Sequence, residues 1–246
     1  MSRSAPLRGL RIVVTRHGEQ ADDFCRALRA QGAEPLRFPA IDFAPLTTSL
    51  PPDAGCNPDR YRWVIFTSPN AVRFFPADMA EAIRNSACRI AAVGVVTAAA
   101  AEARGWHVDF VPADFSGRAL AAMLPDAAGA RILIPRSEQG RPELTAGLTA
   151  RGASVDDVAT YRTVIGRPTA EQFAALAQGV DFLTFTSPLT VMNFAKLAET
   201  KPDAAVACIG PTTADEAARQ GYPPDIVANP YTIEGLIQGM IDYVAS

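Results

Sequence analysis

The stretch RIVVTRHGEQADDFCRALRAQGA (11–33) decides the fold because the chain carries it twice. At a shift of 120 it becomes RILIPRSEQGRPELTAGLTARGA (131–153), with Arg16/Arg136, Leu28/Leu148 and Gly32/Gly152 in common. In each copy a short apolar run precedes a helical pattern, the signature of a βα unit. Working outward, FTSPNAVRFF (66–75) returns as FTSPLTVMNF (185–194) at a shift of 119. AAVGVVTAAAAEARG (91–105) returns as ACIGPTTADEAARQG (207–221), and DFVPADFSGRAL (109–120) as DIVANPYTIEGL (225–236), both at 116. A period near 120 residues is too long for a solenoid unit, so it reads as a duplicated α/β domain. Alternating strand and helix patterns place parallel sheets in both copies. Two such domains are expected to hold a ligand between them, at the carboxyl ends of their strands.

Composition narrows the function. The 246 residues carry 23 basic and 26 acidic side chains, a net charge of −3 that argues against a nucleic-acid binder. The basic set is 21 Arg against Lys196 and Lys201, and Arg supplies planar forks for carboxylates. No run approaches a membrane span, and the first residues lack the apolar core of a secretion signal. Cys25, Cys56, Cys88 and Cys208 are scattered without a CxxC pair, as free thiols in a cytoplasmic protein would be. His17 and His107 are the only histidines, which excludes a multi-histidine metal site. His17 itself reads as a rim residue, not a base. GxSxG, GxxxxGK[ST] and GxGxxG are all absent, so neither a common nucleophile motif nor a dinucleotide cradle is expected. No cofactor is expected.

The repeated turns fall where strands end and helices begin. Ser68 and Ser187 are positioned to cap helices that open with Pro69 and Pro188. Asn70 and Ala71 follow in the first of these turns. Gly94 and Gly210 allow close backbone approach, and Thr97, Thr212 and Thr213 add hydroxyls. Ser116 and Thr232 are further caps. Helix N-termini offer free N–H groups and partial positive charge, which suits an anionic ligand. Arg16 and Arg136, one after each first strand, can fork onto carboxylates. Tyr161, in the strand-like run VATYRTV, is a candidate proton or hydrogen-bond donor with an ordinary pKa near ~10.

RIVVTR, WVIFTSPNAV, AVGVVTA, RILIPR, VATYRT, FTSP, CIGPTTA and the closing T-x-E-x-L, in this order, resemble the uroporphyrinogen-III synthase family over nearly the whole chain. The resemblance implies two similar doubly wound parallel-sheet α/β domains of flavodoxin-like type, joined by a two-stranded antiparallel linker. Residues 1–37 and 168–246 would form one domain and 45–159 the other, with 38–44 and 160–167 crossing between them. It implies a lyase acting on hydroxymethylbilane, a linear tetrapyrrole with eight carboxylates. Water leaves, and the macrocycle closes with ring D inverted through a spiro intermediate, giving uroporphyrinogen III for haem and related tetrapyrroles. By match to the family, Tyr161 and Thr97 are the catalytic candidates. Arg16, Ser68, Asn70, Ala71, Gly94, Arg136, Ser187, Gly210, Thr212 and Thr213 are the substrate-binding set. A cytoplasmic monomer with no nucleic-acid or membrane partner completes the expectation. The rival reading is a non-catalytic two-domain sensor of a small anion.

Overall fold

The computed structural model describes residues 5–46, 60–140 and 142–246, so Cys56 lies outside the described residues. The strands are β1 (Arg11–Val14), β2 (Glu34–Arg37), β3 (Ile41–Pro45), β4 (Trp63–Phe66), β5 (Arg89–Ala92) and β6 (Arg131–Ser137). They continue with β7 (Ser154–Ile165), β8 (Phe182–Phe185), β9 (Ala205–Cys208) and β10 (Ile226–Val227). The helices are α1 (Glu19–Ala30), α2 (Pro69–Arg73), α3 (Ala77–Arg84), α4 (Val95–Ala103) and α5 (Gly117–Met123). The remaining five are α6 (Glu143–Ala150), α7 (Ala170–Ala177), α8 (Pro188–Leu197), α9 (Pro211–Arg219) and α10 (Ile233–Ala245).

The chain divides into two compact units. Unit 1 takes Met1–Asp42 and Val164–Ser246, and unit 2 takes Phe43–Thr163. Unit 1 holds a sheet in the order β10-β9-β8-β1-β2, with each adjacent pair parallel. Its chain path starts in the middle, moves to one edge, then returns and builds toward the other. That is the doubly wound, flavodoxin-like order the family resemblance implied, with its switch point between β1 and β8. Unit 2 has the order β3-β7-β6-β4-β5, and its β6, β4 and β5 are parallel neighbours.

The duplication survives at the level of register. Ile12 faces Phe182 and Ile132 faces Trp63, the same positions at shifts of 120 and 119. Ala207 faces Ile226, as Ala91 faces Phe110 across a single bridge in unit 2. Asp225 accepts the Val206 N–H at 2.8 Å, and Asp109 accepts that of Ile90 at 2.8 Å. The bridge at Phe110 therefore stands where β10 stands in unit 1.

Both faces of each sheet are covered, which explains the uninterrupted apolar strands. On β4, Val64 and Phe66 pack with Val72, Met79 and Ala101, while Trp63 and Ile65 pack with Leu120 and Leu148 on the opposite face. Unit 1 splits in the same way: Ile12 and Val14 belong to one cluster, Val13 and Phe185 to the other.

Strand β7 does two jobs. Its first half pairs in parallel with β6, as β2 pairs with β1. Its second half runs on beside β3, where Leu46 N–H donates to the Thr160 carbonyl (2.9 Å) and Gly166 N–H to that of Ala40 (2.9 Å). Numbers rise on one strand as they fall on the other, the antiparallel sense. Gly166 is required there, since a Cβ would lie 1.8 Å from the Pro39 carbonyl oxygen.

Candidate functional site

In unit 2 the register slips between Arg136 and Ser137. Arg136 faces Ala159, but Ser137 faces Tyr161, so Thr160 is the extra residue of a bulge. The bulge sets Tyr161 on the face covered by α2. Its hydroxyl lies 2.9 Å from Ser68 Oγ, and Ser68 in turn caps α2 by accepting the Ala71 N–H at 3.1 Å. Pro69 fills the first helical position, where no N–H is needed. The phenol ring stacks on Phe74 (5.4 Å between centroids) and meets Phe43 edge-on (5.8 Å). Burial pushes the Tyr161 phenol above its ordinary pKa, partly opposed by the Ser68 hydrogen bond. The proton is therefore held at neutral pH and has a polar partner beside it.

Thr97, the third residue of α4, is buried and makes no side-chain hydrogen bond among the described residues. Gly94 caps α4 in an extended conformation, and a Cβ there would meet Phe115 only at 3.7 Å, an ordinary contact. The fold does not force glycine at this position. At the carboxyl ends of β4, β5 and β6, Thr67, Val93, Ile134 and Arg136 line a cavity of about 520 Å³ inside unit 2, closed on its other side by Ser116 and Leu144.

Arg136 sits differently from the sequence expectation's picture of a waiting fork. Its guanidinium is paired with Asp157, whose other oxygen accepts from Thr145 at 2.6 Å. It also donates to the carbonyls of Ser137 (3.0 Å) and Gly140 (2.9 Å). Arg16, at the same place in unit 1, donates only to Gln20 at 2.6 Å and has no carboxylate partner among the described residues. Burial lowers its pKa, the direction expected for a partly desolvated cation without a counter-ion.

Unit 1 repeats the caps. Ser187 accepts the Thr190 N–H at 3.3 Å, and Gly210 opens α9, whose third residue is the buried Thr213. Thr212 is exposed. Beneath this rim Thr15 donates to the Thr184 carbonyl (2.8 Å) and Thr184 to that of Val13 (2.6 Å), tying β1 to β8 at the switch point. Within unit 2 the structure joins Tyr161, Ser68 and Ala71 directly, while Asn70, Gly94, Thr97 and Arg136 stand at the same ends of neighbouring strands. Sequence reasoning missed Asp157, Phe43, Phe74 and Phe115. Asp157 had a signal: it stands opposite Ile134, two residues from Arg136, where unit 1 has Arg37 opposite Val14.

Paired flavodoxin-like units with capped helices at their strand ends define a class, and comparison with known proteins places the chain within it. A model of the uroporphyrinogen-III synthase HemD family matches residues 22–238, and the chain belongs to that family. It is 31% identical to the uroporphyrinogen-III synthase of Synechococcus elongatus, over 94% of each chain. It is 26% identical to the chloroplastic uroporphyrinogen-III synthase of Oryza sativa subsp. japonica, over 94% of this chain and 80% of that one. Among solved structures, uroporphyrinogen-III synthetase from Helicobacter pylori superposes with a TM-score of 0.62 at 19% identity, covering 96% of this chain and 99% of that one. A mutant uroporphyrinogen III synthase from Thermus thermophilus gives 0.52 at 19%, covering 96% and 99%. The two structural matches establish the shared fold. Among the described residues, no helix is long and apolar enough to cross a membrane.

Proposed function

We propose that the protein converts hydroxymethylbilane to uroporphyrinogen III, closing the macrocycle with ring D inverted. Family membership sets the reaction, and the Tyr161–Ser68 contact at 2.9 Å is the observation that carries the chemistry. Hydroxymethylbilane needs no strong nucleophile, because loss of its hydroxyl already generates an electrophilic carbon. A neutral phenol kept protonated by burial is suited to hand its proton to that hydroxyl as the C–O bond breaks and water leaves. Ser68 can then donate to the oxygen of Tyr161 while still accepting from Ala71 N–H. Attack by the substituted carbon of ring D gives the spiro intermediate, which fragments and recloses. The proton released on rearomatisation returns to Tyr161.

The rest of the rim holds geometry. Thr97, Thr213 and the helix starts at Ser68, Gly94, Ser187 and Gly210 supply hydroxyl and N–H donors for the carboxylates. Of the two arginines, Arg16 is the one available for a substrate carboxylate, since Asp157 already occupies Arg136. We place the enzyme in the cytoplasm as a monomer; the free thiols of Cys25 and Cys208 fit a reducing compartment.

The test is direct. Purified protein is mixed with hydroxymethylbilane without added metal or nucleotide, the products are oxidised, and the porphyrin isomers are resolved. Type III product is expected. Type I alone, as in uncatalysed closure, favours the anion-sensor reading instead.

A further inference from the structure

Phe115 is a large apolar side chain that the fold leaves outside. It is 56% exposed, and its φ of 31° lies in the left-handed region that costs a residue with a Cβ. It is bracketed by Asp114 and Ser116, which hydrogen-bond to each other at 3.2 Å, while Ser116 caps α5 through the Ala119 N–H at 3.1 Å. Both bracketing residues line the cavity at the carboxyl ends of β4, β5 and β6. The ring lies over Gly94, so it borders the start of α4, where Val95 and Val96 are also exposed. Neither burial nor backbone preference accounts for a phenyl group here; glycine would relieve the backbone and a polar residue would suit the exposure.

The repeat supplies a second, independent instance. At a shift of 116 the counterpart of Phe115 is Tyr231, 64% exposed, with its ring 3.5 Å from where a Cβ on Gly210 would lie. The backbone of Tyr231 is not left-handed, so the two turns differ in conformation yet keep the same kind of side chain over the same glycine.

We propose that Phe115 is a substrate-positioning contact whose ring packs against a pyrrole face of the bound tetrapyrrole. This rests on the functional reading above. A linear tetrapyrrole offers flat faces as well as carboxylates, and hydrogen-bond donors at helix starts fix the carboxylates without fixing the tilt of the rings. An aromatic ring carried between two cavity-lining residues supplies that restraint.

The experiment compares wild type, Phe115→Ala and Phe115→Tyr for KM, kcat, isomer ratio, thermal midpoint and affinity for uroporphyrinogen III. The alanine variant should raise KM and the product Kd about tenfold, as expected for loss of one aromatic contact, and should release more type I isomer. Its thermal midpoint should not fall, because the strained turn gains nothing from the ring. The tyrosine variant should restore wild-type values. Unchanged KM and product affinity in Phe115→Ala, or equal losses in Phe115→Tyr, overturn the proposal. If wild type makes no type III product, the functional reading fails by itself, while the product titration still decides the role of Phe115.

Discussion

In unit 2 the guanidinium near the end of β6, Arg136, is clamped by Asp157; in unit 1 its counterpart Arg16, just after β1, meets only Gln20. The reason is one position on the neighbouring strand, which carries Asp157 in one copy and Arg37 in the other. Similar substitutions run around both rims. Val95 and Val96 answer to Pro211 and Thr212, Arg118 to Glu234, and Ile65 to Thr184. Strand registers and caps are kept, yet charge and polarity at the strand ends are not. Matching backbones therefore do not make matching sites: a residue identical in both copies is ion-paired in one and without a carboxylate partner among the described residues in the other.

The sharpest way to break this comparison is to remove Asp157. In Asp157→Ala the largely buried Arg136 loses its counter-ion, and the variant should lose about 3 kcal/mol of unfolding free energy, the low end for breaking a buried pair. Urea denaturation measures it. A loss comparable to that of an ordinary surface change would mean Arg136 is not a structural cation.

Next in size is Tyr161→Phe, which should cut kcat on the order of 10²-fold without abolishing turnover, since positioning remains. Its loss of the Ser68 contact should cost only about 1 kcal/mol of stability. Unchanged kcat in a folded variant removes Tyr161 from the chemistry.

Arg16→Ala should then raise KM about tenfold, the value of one charge-assisted hydrogen bond, and leave stability within about 0.5 kcal/mol. The contrast with Asp157→Ala is the point. If Arg16→Ala destabilises the fold and spares KM, the assignment of the two arginines is reversed.

Gly94→Ala and Gly210→Ala refine the picture of the rims. Each new methyl meets only ordinary contacts, at 3.7 Å from Phe115 and 3.5 Å from Tyr231, so thermal midpoints should hold or rise slightly. Valine at either position should depress activity more than alanine, because bulk there blocks approach to the helix start. Normal activity in folded Gly94→Val would place the ligand away from α4.

The smallest effect concerns alkaline stability. Burial raises the Tyr161 and Tyr222 phenols above the ordinary ~10, favouring the neutral forms in the folded state. That contribution is fully present below pH ~10 and is lost as pH rises through the raised folded-state values. Tyr161→Phe should shallow the fall in stability above pH ~10, and an unaltered alkaline limb would contradict its burial.

The fold was legible because duplication gave each βα unit two readings, and apolar runs such as WVIF are buried on both faces. Caps were legible for the same reason: Ser68, Ser116, Ser187 and Thr232 all accept the N–H their spacing implies. The site was less so. That Tyr161 meets Ser68 depends on a bulge at Thr160, which no periodicity reveals. The fate of Arg136 depends on a partner 21 residues away, and the exposure of Phe115 on a left-handed turn without glycine. Each is a long-range or conformational fact, set by which strands become neighbours.

The sheet order of unit 1 also imposes a schedule on synthesis. Strand β1 is made before every other strand of its sheet, yet its neighbour β8, the central strand, lies some 170 residues later, and the sheet is completed only when β10 arrives. All strands of unit 2 are made in between. At roughly 5–20 residues per second, the apolar RIVV segment waits about ten seconds or more with one side unpaired. During that interval the nascent chain carries a finished unit flanked by an exposed strand, the state in which a chaperone has most to protect.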